Sequence, residues 1–185
     1  MDIPKDFTTK RLLIRRFTED DMLELERLIA DPKVHRFFSS GLVYQVVVLH
    51  QIDYIMSQTI TSYYVDDDMN SMFAIEEKGT SEFLGFVGFE QRSTDPVLRV
   101  TYCIRHDRWG KGYATEASSK LLEHVMKELK WERVEAIVHP KNIPSVRIAE
   151  KIGMHFEKMV HDTEFLEDQQ LYAIEGKSSS KKASQ

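Results

Sequence analysis

Cysteine is almost absent from this 185-residue chain: Cys103 stands alone, so no internal disulfide can form. No run of about 18 apolar residues is present to span a membrane. The opening Met1-Asp2-Ile3-Pro4-Lys5-Asp6 carries no apolar core of a signal peptide, and a cytoplasmic location is the expectation. Basic charge is not in excess. The net charge of −5 argues against a general nucleic-acid binder, which would show a basic footprint, and it suits a cationic acceptor such as an amine. The seven histidines form no His-Glu-x-x-His and no Cys-rich cluster accompanies them, so no metal is expected. Both common nucleotide fingerprints fail on spacing: Tyr113 follows Gly112 where a P-loop requires lysine, and Thr115 stands where a dinucleotide motif requires its third glycine. No internal repeat is present.

The composition that remains, 42% hydrophobic and 30% charged, suits one soluble domain with a full core. The informative stretch is Trp109-Gly110-Lys111-Gly112-Tyr113-Ala114-Thr115-Glu116-Ala117. Its two glycines let the backbone approach a ligand closely and take φ angles that other residues avoid. It then runs into a helix with Ala114, Ala117, Leu121, Val125 and Leu129 on one face. Val97 to Ile104 reads as a strand just upstream. Strand, glycine-rich turn and helix together are either a plain connecting turn or a phosphate-binding arrangement, since a helix start offers unpaired N–H groups and the positive end of its dipole. With triphosphate and dinucleotide motifs excluded, coenzyme A is one phosphate ligand that remains.

Along the chain, Arg11 to Phe17 reads as a strand with Leu12 and Ile14 on one face. Thr18 and Asp21 make a variant capping box, followed by a helix burying Met22, Leu25 and Ile29 and ending at Asp31-Pro32. Leu42 to Ser57 is read as a helix, although Val46-Val47-Val48 would also suit a strand. Asp66-Asp67-Asp68 marks a loop between Tyr63 and Asn70, either simply solvated or facing an acceptor. Met72 to Glu76 and Phe83 to Glu90 form an antiparallel pair through Lys78-Gly79-Thr80. Gly85 and Gly88 inside the second strand signal a bulge or a close backbone approach. Gln91 to Pro96 is a loop. Arg133 to His139 is a strand parallel to Val97–Ile104, joined to it by a right-handed crossover. Asn142 caps a short helix with Pro144 in its first turn, and Gly153 ends it. Met154 to His161 and Gln170 to Glu175 are the closing strands, with an acidic loop of Asp162, Glu164, Glu167 and Asp168 between them. The Ser- and Lys-rich tail, 177–185, is expected to be disordered, leaving one domain over 1–176.

Trp109 to Ala117 resembles the pyrophosphate-binding motif of the GNAT superfamily of acyl-CoA N-acyltransferases: Gln or Arg, two residues, Gly, one residue, then Gly or Ala. Gly112 and Ala114 match its last two fixed positions. Trp109 replaces the usual Gln or Arg, as is frequent in the ribosomal-protein N-terminal acetyltransferase branch. The continuation Tyr113-Ala114-Thr115-Glu116-Ala117 is typical of that branch. Asn142, Ser145, Glu150, Lys151 and Gly153 resemble its Asn-x-x-Ser stretch ending in Glu-Lys-x-Gly, and Thr9-Lys10-Arg11-Leu12-Leu13-Ile14-Arg15 resembles its first strand. The resemblance covers roughly residues 8 to 175, in the expected order.

The resemblance implies a single-domain α/β fold. Its central sheet would be mixed and mostly antiparallel, with a central parallel pair splayed at the cofactor site and helices on both faces. It implies acetyl-CoA as co-substrate, lying where strands 97–104 and 133–139 part. Tyr102, Cys103 and Ile104 would hold the pantetheine and acetyl group through the backbone. Trp109, Gly110, Lys111, Gly112, Tyr113 and Ala114 would cradle the pyrophosphate, and Asn142 and Ser145 would complete the cofactor side.

The tyrosine that protonates the leaving thiolate in many members falls here at Ala149, which leaves Ser145 as proton donor or as a structural residue of a first helical turn. Glu90 is the candidate general base. Arg99 stands where many relatives carry Glu, which opens proton loss through water as the alternative. Cys103 reads as a buried structural thiol rather than a nucleophile. Lys111 either touches phosphate or is solvated, and Trp109 either packs or contributes its backbone. The acceptor implied is a primary amine, foremost a protein N-terminus. An aminoglycoside, polyamine or amino acid is the rival acceptor, and a coenzyme A-binding module without turnover is the rival from another class. Neither a nucleic-acid nor a membrane partner is expected, and the assembly is a monomer or homodimer.

Overall fold

Alternation of apolar and polar residues builds the strands, and two helical layers cover them. The computed structural model describes residues 6–37, 71–91, 97–162 and 167–176. Within them the strands are β1 (Asp6–Thr8), β2 (Leu12–Arg15), β3 (Ser71–Glu77), β4 (Glu82–Gln91), β5 (Leu98–Ile104), β6 (Arg133–Val138), β7 (His155–Asp162) and β8 (Glu167–Glu175). The helices are α1 (Met22–Ala30), α2 (Pro32–His35), α3 (Tyr113–Lys127) and α4 (Ile143–Lys151). The eight strands form one sheet in the order β1-β2-β3-β4-β5-β6-β8-β7. Every neighbouring pair is antiparallel except β5 and β6, which are parallel.

The sheet is buried on both faces at its centre. On one face Leu98, Val100 and Ile104 of β5 and Val134, Ala136 and Val138 of β6 pack against Ala117, Leu121 and Val125 of α3 and Ala149 of α4. On the other, Met72, Ala74, Phe86 and Cys103 pack against Leu25, Leu28 and Ile29 of α1 and Val34 of α2. Each large apolar side chain so buried contributes about 1.5–3 kcal/mol. Period-two strands are thus sandwiched by helices whose buried residues recur every three or four positions.

Most expected elements are present, with local differences. The first long strand is shorter than expected, and β1 pairs ahead of it. The Thr18–Asp21 capping box forms, but it opens a 3-10 turn at Glu19–Asp21 before α1. Met22 is exposed, and the buried face of α1 is made by Leu25, Leu28 and Ile29; Met22 is the first residue of α1, where no preceding α-helical turn covers it. Leu84 is the extra residue of a bulge: Gly85 pairs with Ile75, and Phe83 with Glu76. Asp162, Glu167 and Asp168 belong to β7 and β8 rather than to a loop. The expected helix at 42–57, the acidic loop at 63–70, residues 92–96, Glu164 and the tail 177–185 lie outside the described residues. Among the described residues, no helix is long and apolar enough to cross a membrane.

Candidate active site

The site starts from an interruption in the sheet. β5 and β6 pair at Leu98–Val134 and Arg99–Glu135, while β5 runs on to Ile104 and β6 to Val138, so the two strands part beyond Arg99. The amide N–H of Arg105 donates to the Leu84 carbonyl at 2.9 Å. The Cys103 carbonyl also faces β4, since it lies 2.0 Å from where a Cβ on Gly85 would sit. Backbone groups of alternate residues point to opposite edges of a strand. Those of Tyr102 and Ile104 therefore face the opening, whereas those of Cys103 face β4. The Ile104 carbonyl accepts the indole N–H of Trp109 at 2.6 Å.

Charge pins the closed end of the opening. Glu135 is buried, lies 3.6 Å from Arg99 Nη2 and accepts from Arg133 Nη2 at 2.8 Å. Glu90 pairs in register with Arg99 on the other side. Glu90, Arg99 and Glu135 thus stand in one row across three strands, level with the last pair before the strands part.

At the open end the chain turns through a 3-10 segment, His106–Arg108, into the glycine stretch and α3. Gly110 and Gly112 have φ of +76° and +80°, and Gly112 is the N-cap of α3. The first helical bond runs from Glu116 N–H to the Gly112 carbonyl at 3.0 Å, so the N–H groups of the preceding turn have no intrahelical acceptor. Side chains from two neighbouring turns of the sheet grip the glycine turn. Tyr113 Oη donates to Glu77, and Arg108 donates to Glu82; both carboxylates belong to the β3–β4 hairpin. From the adjoining turn between β1 and β2, Arg11 Nη1 donates to the Lys111 carbonyl at 2.9 Å. Lys111 itself is exposed.

The other flank is the start of α4. The Asn142 side chain accepts from the Ser145 N–H at 3.3 Å, a helix cap. Tyr102 Oη donates to the Ser145 carbonyl at 3.0 Å, tying β5 to α4 across the opening. Burial pushes the Tyr102 phenol up, against the opposing effect of that hydrogen bond, and keeps it neutral. Burial, and then the charge of Asp31, push the Cys103 thiol up. Cys103 is accordingly a neutral core residue, because a thiolate is the reactive form.

The residues expected at the cofactor thus fall into three groups around one opening: Tyr102 and Ile104 of β5, the turn 109–114, and Asn142 with Ser145; Cys103, expected among them, turns its backbone to β4 and its side chain into the core instead. Glu90 lies level with the closed end. Glu116, Thr9 and Arg11, which bind one another behind the turn, were not expected at the site, although all three lie in the resembling blocks. The residues fit coenzyme A. The parted strands leave the backbone groups of Tyr102 and the Ile104 N–H available to amides, and a Cβ on Gly110 would meet nothing within 4 Å. The adjoining helix start suits pyrophosphate.

A family model described as an acetyltransferase (GNAT) domain matches residues 11–155. The chain is 28% identical over 157 residues to the uncharacterized N-acetyltransferase p20 of Bacillus licheniformis, covering 84% of this chain and 85% of that protein. It is 37% identical over 92 residues to protein YkkB of Bacillus subtilis, covering 49% of this chain and 54% of that one, about half of each. A crystal structure of a GNAT-family acetyltransferase from Bacillus anthracis aligns with a TM-score of 0.74 at 25% identity, over 92% of this chain and 98% of that chain. The same fold recurs in RimL, a ribosomal alpha-N-protein acetyltransferase in complex with coenzyme A, at a TM-score of 0.73 and 16% identity over 91% of this chain and 96% of that one. It recurs in the microcin self-immunity acetyltransferase MccE in complex with acetyl-CoA and AMP, at 0.72 and 19% over 90% and 93%. The chain belongs to the GNAT acetyltransferase family and is an acetyl-CoA-dependent N-acetyltransferase.

Proposed function

We propose that the acceptor is a protein N-terminal amine and that coenzyme A lies in the β5–β6 opening with its pyrophosphate at the turn 109–114. The observation that carries this reading is that two of the blocks resembling the ribosomal-protein branch bind each other and the third borders the same opening. The first strand meets the glycine turn through Arg11 and Lys111, and β5 meets the Asn142–Ser145 turn through Tyr102. The fold shared with RimL supports the same acceptor class.

Acetyl-CoA supplies an activated acetyl thioester, and transfer to an amine leaves a thiolate that needs a proton. The backbone groups of Tyr102 and the Ile104 N–H orient the pantetheine arm. The N–H groups from Gly110 to Ala114 and the α3 dipole receive the pyrophosphate. Ser145 is held by Asn142 at its amide and by Tyr102 at its carbonyl, and its hydroxyl gives the thiolate its proton. Glu90 takes the proton from the amine and releases it to solvent, from which Ser145 regains the proton it gave.

A thiol-release assay decides the acceptor. Peptides with a free N-terminal Ala or Ser should be turned over, and the same peptides blocked at Nα should not. Turnover confined to polyamines, aminoglycosides or amino acids would overturn the protein acceptor. Coenzyme A binding without turnover on any amine would favour a non-catalytic module.

A further inference from the structure

The most densely bonded group near the glycine turn does not face the opening. Glu116, in the first turn of α3, accepts from Thr9 Oγ1 at 2.6 Å, from the Arg11 backbone N–H at 3.0 Å and from Arg11 Nε at 2.7 Å. Arg11 then reaches on. Its Nη1 donates to the Lys111 carbonyl at 2.9 Å, its guanidinium carbon lies 4.6 Å from the centre of the Tyr113 ring, and its Nη2 is 3.6 Å from where a Cβ on Gly112 would sit. The turn between β1 and β2 is thereby bonded, across 100 to 107 residues of sequence, to both ends of Lys111–Glu116.

A carboxylate at this place needs a reason. Negative charge at a helix start is favourable for the helix, but beside an anion site it repels the ligand. Burial raises the Glu116 carboxyl, but the hydrogen bonds from Thr9 and Arg11 outweigh it and hold it below the usual carboxylate range. It is therefore ionised at neutral pH and neutralised locally by Arg11. Two glycines with positive φ make the turn intrinsically loose, and a loose turn must be ordered each time it binds phosphate, at a cost in affinity.

We infer that Thr9, Arg11 and Glu116 are positioning residues for the coenzyme A pyrophosphate: they fix the glycine turn from behind so that its N–H groups are set before the ligand arrives. This rests on the assignment of the pyrophosphate to the turn 109–114. It has a consequence opposite in sign to simple electrostatics. Removing the Glu116 charge lessens repulsion of an anion, and charge alone would tighten binding. Loss of the positioning contacts weakens it.

The test is calorimetric titration of coenzyme A into folded Glu116→Ala and, as a milder variant that keeps the carboxylate, Thr9→Val. S-acetylpantetheine, which has no pyrophosphate, is the control ligand, and Gly112→Val is the control for the site. Glu116→Ala should weaken coenzyme A by about tenfold, the scale of an unordered binding segment. Thr9→Val should weaken it less, and neither should alter S-acetylpantetheine. The KM for acetyl-CoA should rise more than kcat falls. Unchanged or tighter coenzyme A binding by Glu116→Ala, with a lowered melting temperature alone, overturns the inference and leaves these residues structural. If Gly112→Val also leaves affinity unchanged, the pyrophosphate assignment itself fails. If Gly112→Val weakens binding and Glu116→Ala does not, only the positioning role fails.

Discussion

Replacing Gly85 with alanine should damage both the fold and the site. Gly85 lies opposite Ile104, at the end of β5 that borders the opening. Its φ is +146°, and an added Cβ would fall 2.0 Å from the Cys103 carbonyl oxygen, 2.9 Å from its carbon and 3.0 Å from Ile104 Cα. All three are backbone atoms, so no change of rotamer relieves the clash. Because real Cβ contacts do not fall below 3.0 Å, β4 and β5 must part by at least about 1 Å in an interior packed to crystal density. Overpacking of this kind costs about 1–3 kcal/mol, and the strained φ adds about 1–3 kcal/mol. A combined loss near 4 kcal/mol lowers the melting temperature of a chain this size by roughly 8–16 °C. Thermal unfolding followed by circular dichroism reads it, with Gly79→Ala alongside. Gly79 has a φ of +90° but nothing within 4 Å of an added Cβ, so that variant should lose only about 1 kcal/mol. A Gly85→Ala melting temperature within two or so degrees of Gly79→Ala, about 1 kcal/mol at this size, would refute the close strand approach. In the folded variant, displacement of β5 should also weaken coenzyme A.

Other perturbations separate chemistry from support. Ser145→Ala should lower kcat by on the order of 100-fold with KM for acetyl-CoA nearly unchanged, if its hydroxyl protonates the thiolate; steady-state kinetics within about twofold of the parent, far short of a general-acid contribution, would remove it from that role. Asn142→Ala should cost about 1 kcal/mol of stability as a lost helix cap, read in a denaturant titration. Arg15 donates to Asp21 from Nη1 at 2.7 Å and from Nη2 at 2.9 Å, and Asp21 is buried; Arg15→Ala leaves that charge uncompensated and should cost about 3–5 kcal/mol. Burial raises the Asp21 carboxyl, but the bonds from Arg15 and Thr18 outweigh it and hold it below its usual 3.8. A depressed carboxylate contributes stability that is present above the unfolded value and lost as pH falls through the folded one. Asp21→Asn should therefore flatten the loss of melting temperature below pH 3.8, and an unchanged acid slope would contradict the pairing.

Periodic elements were legible in the sequence because each carries a burial pattern of its own. β5 alternates Leu98, Val100 and Ile104 toward α3, and Ala117, Leu121 and Val125 recur at helical spacing. The glycine turn was legible because positive φ demands glycine, at Gly110 and Gly112. The grip on that turn was not. Thr9, Arg11 and Glu116 read locally as a strand start and a helical turn, and only the fold brings them together. The same limit applies to Tyr102, whose spacing marks a core-facing strand residue while its hydroxyl reaches Ser145 on α4. It applies to Met22 as well, which fits the helical period but stands at the first position of α1 and is exposed.

A crystal structure of the complex with coenzyme A decides whether the ligand occupies the opening between β5 and β6. The pyrophosphate should lie within hydrogen-bonding distance of N–H groups between Gly110 and Ala114. The pantetheine amides should be bonded to the backbone of Tyr102 or Ile104. Coenzyme A bound elsewhere, with the turn 109–114 making no phosphate contact, would contradict that placement.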